Sequence, residues 1–104
     1  MVNIMKMMKQ AASMQKNMGA LQAELAGRTV EFSSGGGMVT AVARGDGTLA
    51  ELSIDPKVVD PADVEMLQDL VLAAVDGALK AARELAAAEM SKLTSGLGLE
   101  MPPM

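Results

Sequence analysis

The sequence predicts an α+β fold: a long N-terminal helix, a three-stranded antiparallel meander and a long C-terminal helix. Three observations point to it. Apolar residues recur at helical spacing through the first quarter of the chain. Three short runs in the middle alternate with a period of two, and a long stretch after Pro61 is apolar almost all round. At 104 residues the chain has the usual size of one domain. That domain is expected over residues 1–93, with 94–104 as a flexible tail.

The first helix is expected from about Asn3 to Ala26, with Gly27 as its stop. Ile4, Met7, Ala11, Met14, Met18, Leu21 and Leu25 are spaced alternately by three and four, a heptad seam. Lys6, Lys9, Lys16, Gln10 and Gln22 lie off it. Gly19 inside the helix costs about 1 kcal/mol relative to alanine, which predicts a close neighbour there.

Val30 and Phe32 alternate with Thr29, Glu31 and Ser33 in the first strand-like run. Val39, Ala41 and Ala43 alternate with Met38, Thr40 and Arg44 in the second. In the third, Leu52 and Ile54 share a face opposite Leu49, Glu51 and Ser53. The segment SSGGGMVTAVARGDG holds five of the ten glycines. A phosphate cradle needs glycine amides at a helix start with a lysine to follow. Here a strand follows, so the glycines make a hairpin turn. Gly45-Asp46-Gly47 makes a second, with Asp-Gly supplying positive φ angles.

Asp55-Pro56 ends the sheet. Asp60 is expected to cap the second helix, with Pro61 in its first turn, and the helix to run to about Leu93, where Thr94-Ser95-Gly96 stop it. Both helices, at about 35 and 50 Å, outrun strands of roughly 23 Å. Three strands shelter one side of a helix that is apolar on several. A second copy of the chain is therefore expected to cover Met14, Met18, Leu21, Leu67, Leu70, Val71, Ala74 and Ala78, with Gly77 allowing close approach.

The chain has no cysteine and no histidine, 11 methionines and one aromatic residue, Phe32. Disulfides, thiolate zinc sites and the usual general base are therefore excluded, and no enzyme activity and no cofactor is expected. Glu65 and Asp69 lie one helical turn apart but lack a third metal ligand. Met5, Met7, Met8, Met14 and Met18 read as an apolar edge rather than a copper(I) site. The opening MVNIMKMMKQ lacks the core of a signal peptide, and LVLAAV is too short to span a bilayer. A cytoplasmic setting is expected.

The net charge of −4 hides a gradient. Residues 1–44 carry five bases against two acids, a net of +3, whereas residues 45–79 carry one base against eight acids, a net of −7. Lys6, Lys9 and Lys16 on the first helix, Arg28 at its junction with the sheet, and Lys80, Arg83 and Lys92 on the second helix are the candidate contacts to an anionic partner.

The opening helix NIMKMMKQAASMQKNM, the segment VEFSSGGGMVTAVARGDGTLAELSIDP, the helix VEMLQDLVLAAVDGALKAARE and the closing SKLTSGLG together resemble the YbaB/EbfC family of nucleoid-associated DNA-binding proteins. The resemblance covers nearly the whole chain. It implies a tweezer-shaped homodimer whose helical prongs, carrying the seven basic residues, bind duplex DNA in the bacterial nucleoid, with roles in nucleoid organisation and gene expression. A protein-interaction adaptor with methionine-rich surfaces is the alternative, and a membrane-surface amphipath a third reading.

Overall fold

In the computed structural model, which describes residues 3–96, two helices flank a three-stranded sheet. Helix α1 spans Ile4–Ala26. Strands β1 (Thr29–Ser34), β2 (Val39–Arg44) and β3 (Leu49–Ile54) follow, and helix α2 spans Val64–Gly96. Asn3 caps α1, its side-chain oxygen accepting the Lys6 amide at 3.1 Å.

The sheet is an antiparallel meander with β2 at its centre. Gly35, Gly36 and Gly37 turn β1 into β2 with φ of +60°, +68° and +94°, a run that L side chains rarely adopt. The glycine-rich loop is thus a hairpin turn. The second hairpin is held differently from expectation. Only Gly47 there has positive φ, while the Asp46 carboxylate accepts the Thr48 amide at 3.0 Å and its hydroxyl at 2.6 Å.

Phe32 pairs with Ala41, and Ala41 with Leu52, so these three share one face of the sheet. Between Val42 and Ala43 the register with β3 slips. Glu51 pairs with Val42 but Leu49 pairs with Ala43, leaving Ala50 as an extra residue. This bulge corrects the expected alternation: Leu49 joins Leu52 and Ile54 on one face instead of opposing them.

Helix α2 begins at Val64, not next to Asp60. The Asp60 carboxylate accepts the Ala62 amide at 2.9 Å in a separate turn, and it is Asp63 that accepts the Met66 amide at 3.2 Å and caps the helix. At the other end the helix continues through Thr94 to Gly96. The Thr94 hydroxyl donates to the Met90 and Ser91 carbonyls and leaves the backbone helical. The expected tail lies outside the described residues beyond residue 96.

The core forms where α2 crosses β1 and β2. Val39, Ala41 and Ala43 from β2 meet Ala74, Ala78 and Ala82 from α2, with Val58 closing one end. Six of these seven have no solvent exposure, and Val39 is the largest wholly buried side chain among the described residues. Small residues on both sides let helix and sheet approach closely. A β-carbon on Gly77 would lie 2.6 Å from Phe32 Cγ and nearer still to the ring edge. Gly77 therefore makes room for Phe32 of the same chain, not for a second copy. Ala74 and Ala78 are likewise covered within the chain and have no surface to offer another, which corrects the expectation for both.

Candidate nucleic-acid interface

Helix α1 stands away from the sheet and, among the described residues, is anchored at its C-terminal end. Leu21 and Leu25 are buried there. The Gly45 amide donates to the Arg28 carbonyl at 2.9 Å, and Gly45 lies against Leu25. Arg28 sits beside Glu89, while Asn17 and Leu21 share a cleft with Leu93. The last turns of α2 therefore run antiparallel to the root of α1, and residues 4–13 of α1 extend as an exposed rod.

Lys6, Lys9 and Lys16 are exposed on that rod. At 100° per residue they fall within an arc of about 80°, and at 1.5 Å rise they span about 15 Å. Their arc is centred on the side of the helix opposite the seam of Ile4, Met7, Ala11, Met14 and Met18. No acid precedes Glu24 in the sequence. The result is a strip of positive charge along one side of a projecting helix, with no ion pair to an acid among the described residues.

The other four cations are arranged differently. Arg28 Nη1 lies 2.8 Å from Glu89 Oε1 and 3.9 Å from Glu24, and Lys92 Nζ lies 3.2 Å from the same Glu89 oxygen. Hydrogen bonds from Arg28 first, then from Lys92, hold the Glu89 carboxyl below its ordinary pKa of 4.5. Arg28 thus ties the root of α1 to α2, whereas Lys92 pairs with Glu89 along α2 itself. Lys80 and Arg83 flank Ala82, whose burial on the sheet shows that α2 is still over it there, so these two do not stand on an overhanging end as expected. They share that outer surface with Asp76 and Glu84, and about 20 Å of α2 separates Lys80 from Leu93, which lies beside Asn17. Within one chain the structure gathers three of the seven candidates.

Arg44, not among the candidates, donates to Thr48 Oγ1 at 3.3 Å and to the Leu49 carbonyl at 3.0 Å. Glu89 was missed by sequence reasoning. Its spacing to Lys92 was visible, but its stronger partner lies 61 residues away.

A second surface adjoins the core. Leu49, Leu52 and Ile54 on β3 face the side of the sheet that carries α2, yet remain 42%, 43% and 37% exposed because α2 lies mainly over β1 and β2. The flank of α2 turned away from Gly77 and Phe32, and hence toward β3, presents Leu67, Val71, Leu72 and Val75 around a shallow apolar groove. Leu72 is 68% exposed. Leu70 packs on Gly35 within the chain, where its carbonyl accepts the Ser34 hydroxyl at 2.6 Å.

Glu65 and Asp69 line an open cleft with Asp63, but among the described residues no group of three His, Cys, Asp or Glu side chains is placed to hold a metal ion. No helix among them is long and apolar enough to cross a membrane.

Residues 1–97 match the model of the YbaB/EbfC DNA-binding family. A nucleoid-associated protein of Acetivibrio thermocellus is 56% identical over 96 residues, covering 92% of this chain and 85% of that protein. A nucleoid-associated protein of Akkermansia muciniphila is 48% identical over 102 residues, covering 98% and 96%. The crystal structure of an uncharacterized protein from Helicobacter pylori shares the fold with a TM-score of 0.80, at 24% identity over 89% of this chain and 98% of the other.

Proposed function

The chain belongs to the YbaB/EbfC DNA-binding family, and from that premise we propose that it is a homodimeric, non-enzymatic protein of the bacterial nucleoid. It grips duplex DNA through phosphates with little sequence preference and so contributes to nucleoid organisation and gene regulation. The observation that carries this reading is the lysine strip on α1, unopposed by any acid before Glu24. The acidic middle of the chain stays back from the DNA while the strip meets it.

Dimerisation is supported by the apolar surface of Leu49, Leu52, Ile54, Leu67, Val71, Leu72 and Val75, which lies beside a thin core and would be covered by the same surface of a second copy. Weak sequence preference follows from the arginines. Base edges are read most often by arginine, but Arg28 and Arg44 are engaged within the chain, Arg83 stands on the part of α2 that lies over the sheet and not on the lysine strip, and Phe32 lies against Gly77.

Two chains bring about six lysines to the phosphates, for which log K should fall against log salt with a slope near −5. Between 50 and 200 mM salt that is about a thousandfold loss of affinity. Replacing Lys6, Lys9 and Lys16 with Ala together should flatten the slope and weaken binding to every sequence alike, with the mass in solution unchanged. A gel-shift titration at low salt reads it. Undiminished affinity in the triple variant would refute the assignment.

A further inference from the structure

Among the described residues, the seam of α1 is covered only at its root. Leu21 and Leu25 are buried and Met14 and Met18 half-buried, whereas Ala11 is exposed and Ile4 and Met7 are 69% and 55% exposed. A free amphipathic helix of about a dozen residues is marginal in water, so this edge needs a partner.

The residues that border the seam say which partner. With Ile4, Ala11 and Met18 in the first position of each heptad, and Met7 and Met14 in the fourth, the flanking positions hold Met8, Gln10, Gln15 and Asn17. None is charged. The lysines occupy only outer positions. On a helix with no acid before Glu24, a lysine beside the seam would repel its counterpart in a second copy, and no lysine stands there. A membrane-surface helix has the reverse layout, with basic side chains along the border of the apolar stripe reaching the headgroups. An acidic protein partner would also be met by charge at that border. The layout fits another copy of the same seam.

We propose that the α1 seams of two homodimers pair, Ala11 against its counterpart, and join the dimers tip to tip. The placement between dimers rests on the homodimer proposed above. Ala11 is the smallest seam residue in the free stretch and sits midway between Ile4 and Met18. It faces its counterpart whether the helices run parallel or antiparallel. Such a short helix pair buries less than the roughly 1,200–2,000 Å² of a stable interface, so the joining is reversible. The lysine strips remain on the outside of the pair, free to hold DNA on either side of it.

Because the chain has no cysteine, single-cysteine variants test this directly. Ala11→Cys and Ser13→Cys are oxidised mildly without DNA, and native mass is followed by light scattering. Ser13 lies on the opposite side of the helix from Ala11. Ala11→Cys should form an interchain disulfide and rise from two chains to four, with Ser13→Cys crosslinking about tenfold more slowly. A rise from one chain to two would support the seam pairing and remove the homodimer reading. No disulfide, equal crosslinking at both positions, or a disulfide with the mass held at two chains would overturn the proposal.

Discussion

Replacing Gly77 with alanine should destabilise the protein, although alanine is the better helix former. In an open helix interior the exchange stabilises by about 1 kcal/mol. Here the added methyl would meet the Phe32 ring, 2.6 Å from Cγ and closer to its edge, well inside ordinary contact. The ring has one cheap escape, because it is already 44% exposed. Swinging out uncovers about 100 Å² of aromatic surface, worth about 2.5 kcal/mol. Lifting α2 instead would expose Ala74, Ala78 and Ala82 together and cost more. The net loss is then about 1.5 kcal/mol. Urea unfolding at one fixed protein concentration measures it, since association shifts apparent stability. In a Phe32→Ala background the same exchange should gain about 1 kcal/mol. Gly19→Ala, where nothing lies within 4 Å of an added β-carbon, should gain a similar amount. A loss at Gly77 that persists without the ring would refute the packing described here.

Two further outcomes follow from named contacts. Glu89→Gln should release Arg28 and Lys92, tighten DNA binding and steepen its salt dependence by about one to two per chain. Because folding lowers the Glu89 pKa, its contribution to stability is complete above its ordinary value of 4.5 and is lost as pH falls through the lowered one. Wild type and Glu89→Gln should therefore differ at neutral pH and converge on acidification, and parallel acid-unfolding curves would count against the ion pair. Leu72→Asp should leave the circular dichroism intact, since that side chain is 68% exposed in the single chain, yet weaken dimerisation by about 2 kcal/mol or roughly thirtyfold. A two-chain mass persisting on dilution, measured by light scattering, would remove this face from the interface.

Much of the candidate site was readable because it lies on one helix. The positions of Lys6, Lys9 and Lys16 relative to the seam depend only on 100° per residue. Arg28, Lys80, Arg83 and Lys92 were read by the same means, but their surroundings are set by elements distant in sequence. The expectation of a close neighbour at Gly19 failed for a similar reason. A helical glycine signals crowding only if something folds back against it, and the glycine that is crowded is Gly77.

The sequence by itself determined what is local: the seam and extent of α1, the glycine hairpin, the period-two strands and an α2 apolar on several sides. It also carried the choice between two good capping aspartates without revealing it, since Asp60 and Asp63 differ only in which amide each carboxylate reaches. The tertiary structure alone decided which flank of α2 the sheet takes. Ala74 and Ala78 went inside because small side chains admit β2 closely, and the bulkier Leu67, Val71 and Leu72 were left beside the exposed row on β3. It also decided that Glu89 holds Arg28 and Lys92. Periodicity records how apolar a surface is; only the meeting of segments far apart in the chain settles what lies against it.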